Sequence, residues 1–250
     1  MENMFRELSV GGINGEPYIL FLEFLHKVLE PKTYFEIGTS TGTSLARARC
    51  SSVSVDPFYQ IDKNVISEKE ATFFFQMGSD QFFRKYNLKS FIPGGPDLVF
   101  LDGMHRVEFL LRDFINTEIL SHRRTLVAIH DCLPLNKRMA DRNVIPGTAD
   151  EPFPDAWTGD VWKIIPILKA HRPDLRIHFV DTPPTGLVLI SNLNPDDQSL
   201  SQNYYDIIDN YIDLDLDEYG VERLYQEFKT INSRKMMENA HLATSAFSVF

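Results

Sequence analysis

The chain has 250 residues, of which 43% are hydrophobic and 24% charged, and 25 Lys and Arg against 35 Asp and Glu leave a net charge of −10. These proportions are ordinary for a folded globular protein and exclude wholesale disorder and collagen-like structure. The acidic balance argues against a broad nucleic-acid or anionic-membrane surface.

Two cysteines, Cys50 and Cys132, are too few for a disulfide scaffold or a four-thiolate zinc site. They suit free thiols in a reducing compartment. The acidic first seven residues carry no apolar signal core, and the nearby apolar run 18–22 falls far short of the ~20 residues a membrane span needs. The expectation is a cytoplasmic protein with no membrane and no nucleic-acid partner. No repeat or flexible linker divides the chain. It reads as a single domain over 1–250, with a core at about 31–192, an N-terminal helix and a C-terminal helical extension.

Leu20, Phe24 and Val28 share one face of a helix predicted over 19–29, closed by Pro31. Strands then alternate with helices. Strands are predicted at 33–37, 52–56, 72–76, 97–102 and 125–129, and helices at 40–49, 61–70, 80–86 and 107–122. The near-continuous apolar run 97–102 suits a central strand buried on both faces. After an irregular stretch come a helix at 161–171 and strands at 175–180 and 187–190. The turn-rich residues 181–186 leave no room for a helix between those two strands, so they should run antiparallel. The fold class is therefore α/β: a three-layer, Rossmann-like arrangement around a seven-stranded, mostly parallel sheet with an antiparallel terminal hairpin.

Residues 132–157 fit no regular element, and an irregular stretch of roughly 26 residues is long for a compact domain. It carries Lys137, Arg138, Arg142, Phe153 and Trp157, a mixture that suits either a lid over a substrate or a long surface connection. The acidic, aromatic tail from Tyr204 onward suits helices packed on the sheet or a contact between identical subunits.

Chemistry concentrates at strand ends. Residues 36–44, Glu-Ile-Gly-Thr-Ser-Thr-Gly-Thr-Ser, follow one predicted strand and open a predicted helix. Glycine at Gly38 and Gly42 permits a tight turn and close approach of a ligand to the backbone. Asp56 ends the next strand, 18 positions after Gly38, where a carboxylate can accept hydrogen bonds from a ribose diol. The plainer reading is that the glycines serve packing and Asp56 opens an Asp-Pro turn. Asp102-Gly103-Met104-His105 ends the fourth strand and His130-Asp131 the fifth. Adjacent parallel strands lie ~4.8 Å apart, so these ends can converge. Asp102, His130 and Asp131 offer ligands for Mg²⁺ or another divalent cation. His105 is the best candidate base, its ordinary pKa being near neutral. A capping role for Asp102 and His105 is the alternative.

The motif set resembles class I S-adenosylmethionine-dependent methyltransferases, in particular the catechol O-methyltransferase-like and family 24 groups. The likeness rests on Tyr34-Phe35-Glu36-Ile37-Gly38, Gly42 and Ser44, with Ser40 in place of the middle glycine. It implies that Gly38, Ser40, Gly42 and Ser44 line the methionine part of S-adenosyl-L-methionine. It further implies that Glu36 holds the amino-acid end or the turn, that Asp56 binds the ribose, and that Gly78-Ser79-Asp80 meets the adenine, with Asp102 also counted among the cofactor contacts. Asp102-x-x-His105 resembles the metal-binding Asp and basic His of metal-dependent sugar O-methyltransferases. Two positions depart from the catechol type: His105 stands where a Lys is usual, and His130-Asp131 where the pair is acidic-Asn or Glu-Asp. The resemblance implies an enzyme that methylates a hydroxyl of a small molecule, a sugar or a secondary metabolite. The competing readings are a nicotinamide-dependent Rossmann oxidoreductase and a non-catalytic cofactor-binding relative.

Overall fold

Nine strands form one sheet in the computed structural model, which describes residues 4–247. Residues 1–3 and 248–250, the outer ends of the expected domain and the start of the acidic N-terminal stretch, lie outside the described residues. The strands are β1 (Phe5–Arg6), β2 (Thr33–Ile37), β3 (Ser51–Val55), β4 (Thr72–Phe75), β5 (Leu98–Leu101), β6 (Leu126–His130), β7 (Arg176–Val180), β8 (Leu187–Ser191) and β9 (Thr230–Ile231). Their order across the sheet is β1-β9-β7-β8-β6-β5-β2-β3-β4. From β4 to β6 every pairing is parallel, while β8 runs antiparallel to both β6 and β7. The terminal hairpin is therefore present. The two strands beyond the expected seven are two-residue pairings at the sheet's edge, β9 on β7 and β1 on β9. Segments that short carry no alternation to read.

The sheet's alternation divides the core into two layers. Val99 and Leu101 of β5 face one, with Phe35, Val53 and Val127; Leu98 and Phe100 face the other, with Tyr34 and Leu126. The first layer is covered by α2 (Ser79–Lys85), α3 (Val107–Leu120) and α4 (Ile164–His171), supplying among others Phe82, Phe114 and Ile165. The second is covered by α1 (Tyr18–Leu29) and by tail helices that contribute Met236, Ala243 and Phe247. The expected face of α1 holds at Phe24, which is buried, and at Val28, which packs against the core, but not at Leu20, which is exposed; Phe21, Leu22, Leu25 and Leu29 complete the buried side. So many residues of α1 are apolar that two stripes fit the helical period, and packing selects one.

Two predicted helices are absent. Only a 3₁₀ turn at Leu45–Arg47 occupies 40–49, and 61–70 is a looped segment. Ser40 (φ 46°) and Gly42 (φ 82°) take left-handed conformations that end any regular run before it starts. The buried Lys69 ammonium then donates to the carbonyls of Leu45 (2.6 Å) and Val65 (2.7 Å), fastening the loop onto the 3₁₀ turn. No described helix is long and apolar enough to cross a membrane. Both cysteines are free thiols.

Because β2 pairs with β3 on one side and with β5 on the other, the crossovers leave in opposite directions and a crevice opens beyond the strand ends.

Candidate active site

A cavity of ≈ 560 Å³ occupies that crevice, and Gly38, Ser40, Asp56, Ser79, Asp102 and His105 all line it. Gly38 turns with φ 92°, and a Cβ there would lie 1.9 Å from the Asp102 carbonyl oxygen. The glycine therefore lets the ends of β2 and β5 touch. Asp56 holds the floor. Its Oδ2 accepts from the Ser40 backbone N–H (2.8 Å) and its Oδ1 from that of Phe58 (2.6 Å). The turn-forming and ligand-facing readings of Asp56 thus describe one residue, since each carboxylate oxygen retains capacity for another donor. On the far wall Asp80 pairs with Arg112 through two 2.8 Å contacts, and the guanidinium lies 4.4 Å from the centre of the Phe109 ring.

Glu36, Gly42 and Ser44 do not line this cavity. Glu36 is fully buried beneath the turn and accepts from the Tyr34 hydroxyl (2.6 Å), and burial pushes its carboxyl up to about 7. Gly42 packs toward the Val65 side chain, where a Cβ would come within 2.6 Å. Ser44 is buried at the start of the 3₁₀ turn.

Four polar groups from the ends of β5 and β6 converge beside the cavity; Asp102 and His105 line it, and His130 and Asp131 lie behind them. His105 Nε2 lies 3.3 Å from Asp131 Oδ2 and 3.7 Å from Asp102 Oδ1. His130 Nδ1 lies 3.3 Å from each of the same two oxygens. Burial works against a charge on His130, but Asp131 and Asp102 outweigh it and raise the imidazole to about 10. Burial likewise opposes the Asp102 charge, and His130 and His105 hold that carboxyl at about 2. His105 is raised from its ordinary value, its desolvation overcome by the same two carboxylates.

The donor set fits a divalent cation. The ligand atoms of Asp102, His105 and Asp131 lie within 4.8 Å of one another, and Nε2 of buried His130 lacks a hydrogen-bond partner. Two carboxylates with imidazole suit Mg²⁺, Mn²⁺ or Zn²⁺.

Sequence reasoning missed two residues of this cluster. Tyr18, at the start of α1, stacks on His130 with ring centres 3.9 Å apart. Thr185, in the turn between β7 and β8, donates its hydroxyl to Asp131 Oδ1 (2.5 Å), so Oδ2 is the oxygen that faces both histidines. Both reach the site from distant parts of the chain, and no local pattern marks either.

The segment 132–157 is irregular, as expected, but its cations are spent within the protein. Lys137 pairs with Asp215 (2.6 Å), Arg138 with Glu151 (2.8 Å), and Arg142 with Glu108 (2.6 Å) and Asp160 (2.5 Å). Arg138 also donates to the Ile145, Ala156 and Phe153 carbonyls. These bonds strap the loop to itself and to α3.

No family model and no curated protein matches the sequence. Solved structures do match. The O-methyltransferase TomG from Streptomyces achromogenes, involved in tomaymycin synthesis and solved in complex with SAM, is 18% identical at a TM-score of 0.50, over 71% of this chain and 80% of its own. A candidate O-methyltransferase from Klebsiella pneumoniae is 17% identical at a TM-score of 0.51, over 71% and 80%. At such identities the likeness is one of architecture. The chain has a Rossmann-like methyltransferase fold. It is a mixed α/β sheet with mostly parallel strands and an antiparallel hairpin, and the cavity lies at its switch point.

Proposed function

We propose that this chain is an S-adenosylmethionine-dependent methyltransferase that acts on a hydroxyl of a small molecule with help from a divalent cation. One observation carries the reading. The cavity that brings Gly38, Ser40, Asp56 and Ser79 together also contains Asp102 and His105, so a cofactor wall and an acid–base cluster share one space. The fold shared with the SAM-bound Streptomyces protein supports the choice of cofactor. The nicotinamide alternative has no comparable observation behind it. With two free cysteines, a reducing cytoplasm is the proposed setting.

S-adenosylmethionine bound in this cavity supplies a methyl group activated on a sulfonium. The chain's own residues do the rest. Asp56, already fixed by the Ser40 and Phe58 amides, accepts the ribose hydroxyls. Ser79, on the same cavity, would meet the adenine end. Asp102 and Asp131 would hold the cation, with His130 as a third ligand or close neighbour, and the ion would make a nearby hydroxyl more acidic. His105 Nε2, beside both carboxylates, takes the acceptor's proton.

The test is transfer of label from methyl-labelled cofactor to a panel of sugars and phenols, with Mg²⁺ or Mn²⁺ and again with a chelator. Transfer that a chelator abolishes and added ion restores is expected. His105→Ala should lower turnover by ~10²–10⁴-fold with cofactor affinity unchanged. Cofactor binding without transfer to any acceptor would favour a non-catalytic relative. Transfer indifferent to chelator would remove the cation.

A further inference from the structure

The two remote contacts on the acid–base cluster share one anchor. Thr185, which holds Asp131, lies four positions after Asp181 in the turn between β7 and β8. Tyr18, whose ring covers His130, lies three positions after Gly15, where the N-terminal strap of residues 5–17 enters α1. The Gly15 N–H donates to the Asp181 carbonyl oxygen at 2.8 Å. Asp181 is buried, and each oxygen of its carboxylate has a partner: Oδ1 accepts from the Ser233 backbone N–H (2.8 Å) and Oδ2 pairs with Arg6 Nε (2.9 Å). The packing is tight, since a Cβ at Gly15 would lie 2.1 Å from Ser233 Oγ and 2.2 Å from Asp181 Oδ1. Arg6 also donates to the Gly12 carbonyl and, at 3.0 Å, to Asn14 Oδ1, while the Glu16 N–H donates to Ser233 Oγ at 2.8 Å. The strap is thus wound around a single carboxylate.

Removing one partner of a buried ion pair leaves an uncompensated charge, and the main chain around it must shift to admit water. Asp181 is the first residue after β7, so the parts free to shift are the turn that follows it and the strap. These are the parts that carry Thr185 and Tyr18. We propose that Arg6 and Asp181 are positioning residues for the acid–base cluster. Their ion pair sets the strap and the turn 182–185 against each other, so that Tyr18 lies flat on His130 and the Thr185 hydroxyl turns Asp131 with Oδ2 toward both histidines. Neither residue touches the reacting atoms. The strap is thereby part of the site, although the residues that line the cavity begin at Ile37. What the cluster does rests on the proposed function, whereas the placement of Tyr18 can be read with neither cofactor nor acceptor present.

The experiment is NMR of the ligand-free protein with its histidine and tyrosine rings labelled, reading the nuclear Overhauser contacts between the Tyr18 and His130 rings. His130→Gln and Tyr18→Leu identify the signals. The contacts should be strong in the wild type and weak or lost in Arg6→Ala and Asp181→Asn. Arg6→Lys, which keeps a cation beside Asp181, should restore most of their intensity. An ion pair that serves stability alone would lower the melting temperature and leave the ring contacts intact. With cofactor and an accepted substrate, Arg6→Ala should lower kcat by about 10-fold at unchanged cofactor affinity. Folded Arg6→Ala and Asp181→Asn proteins with wild-type ring contacts overturn the proposal, as does a wild type without those contacts. If the variants do not fold, hydrogen exchange of the wild type decides. The Gly15 amide, bonded to Asp181, and the Leu133 amide, bonded to the Thr185 carbonyl (3.0 Å), should open with matching free energies. A Gly15 amide that exchanges roughly 100-fold faster than Leu133 overturns the proposal, because the strap then opens without the turn. The expected ring contacts and their loss, in a protein that transfers no methyl group, would leave the positioning role standing and remove the proposed function.

Discussion

Around the ends of β2 and β3 the site is shaped by turns of the main chain, and at the ends of β5 and β6 by a cluster of charged side chains. On the first side, Gly38 brings two strand ends into contact, and Asp56 ties Ser40 and Phe58 by their amides. On the second, Asp102, His105, His130 and Asp131 crowd around one point and depend on partners elsewhere: Trp157 on His105, Tyr18 on His130 and Thr185 on Asp131. A wall of backbone conformations recognises a fixed ligand through hydrogen bonds that any similar turn can offer. A cluster of charges held by remote contacts can be retuned by changing one distant residue.

The contrast can be broken most forcefully at the point where the two sides meet. Gly38→Ala would set a Cβ against the Asp102 carbonyl at a φ of 92°, and should cost about 3–5 kcal/mol in urea unfolding. A loss below ~1 kcal/mol would mean that the strand ends are not in contact as described. On the side-chain half, Asp131→Asn should lower turnover by ~10²–10³-fold and abolish its dependence on divalent cation, leaving S-adenosylhomocysteine affinity within about twofold. Equal loss of affinity would show that the two walls are not separable. On the main-chain half, Asp56→Asn should weaken S-adenosylhomocysteine by ~10-fold in calorimetry, a charge-assisted acceptor having become a neutral one. Turnover at saturating cofactor should change far less.

The smallest effect concerns stability and pH. Asp113 on α3 is buried, one of its oxygens lacks a partner, and burial raises its carboxyl from 3.8 to about 7. The folded chain therefore binds a proton that the unfolded chain has lost between about pH 4 and pH 7. In that window rising pH costs stability, and above it the cost stays constant. His26, buried neutral and lowered to about 3, has the opposite slope below its ordinary pKa, so the difference between Asp113→Asn and wild type is the quantity to measure. That variant should melt a few degrees higher at pH 8 and close to wild type at pH 4. A variant less stable at pH 8 would show that the Asp113 carboxylate is compensated by a partner.

The same division governs what could be read from the sequence. The parallel strands and the hairpin follow from apolar runs separated by turn residues, and all six cavity-lining positions named above lie within three residues of a predicted strand end because turns there need glycine and acidic caps. Local pattern fails where a tertiary contact decides. Residues 40–49 look helical, but Ser40 and Gly42 turn left-handed and Lys69 takes the carbonyl of Leu45. Arg142 looks like a ligand-binding cation until Glu108 and Asp160 are brought to it. The Thr185 and Trp157 contacts span 54 and 52 positions, distances over which spacing carries no signal. The second imidazole of the cluster was legible as a dipeptide, His130-Asp131, but its placement opposite His105 required the register of β5 on β6.

The most direct test of the account is titration of the wild-type protein with S-adenosylhomocysteine by calorimetry. We expect one site per chain with a micromolar Kd, weakened by Asp56→Asn and insensitive to chelator. A flat titration, with no rise in melting temperature at millimolar ligand, would contradict it.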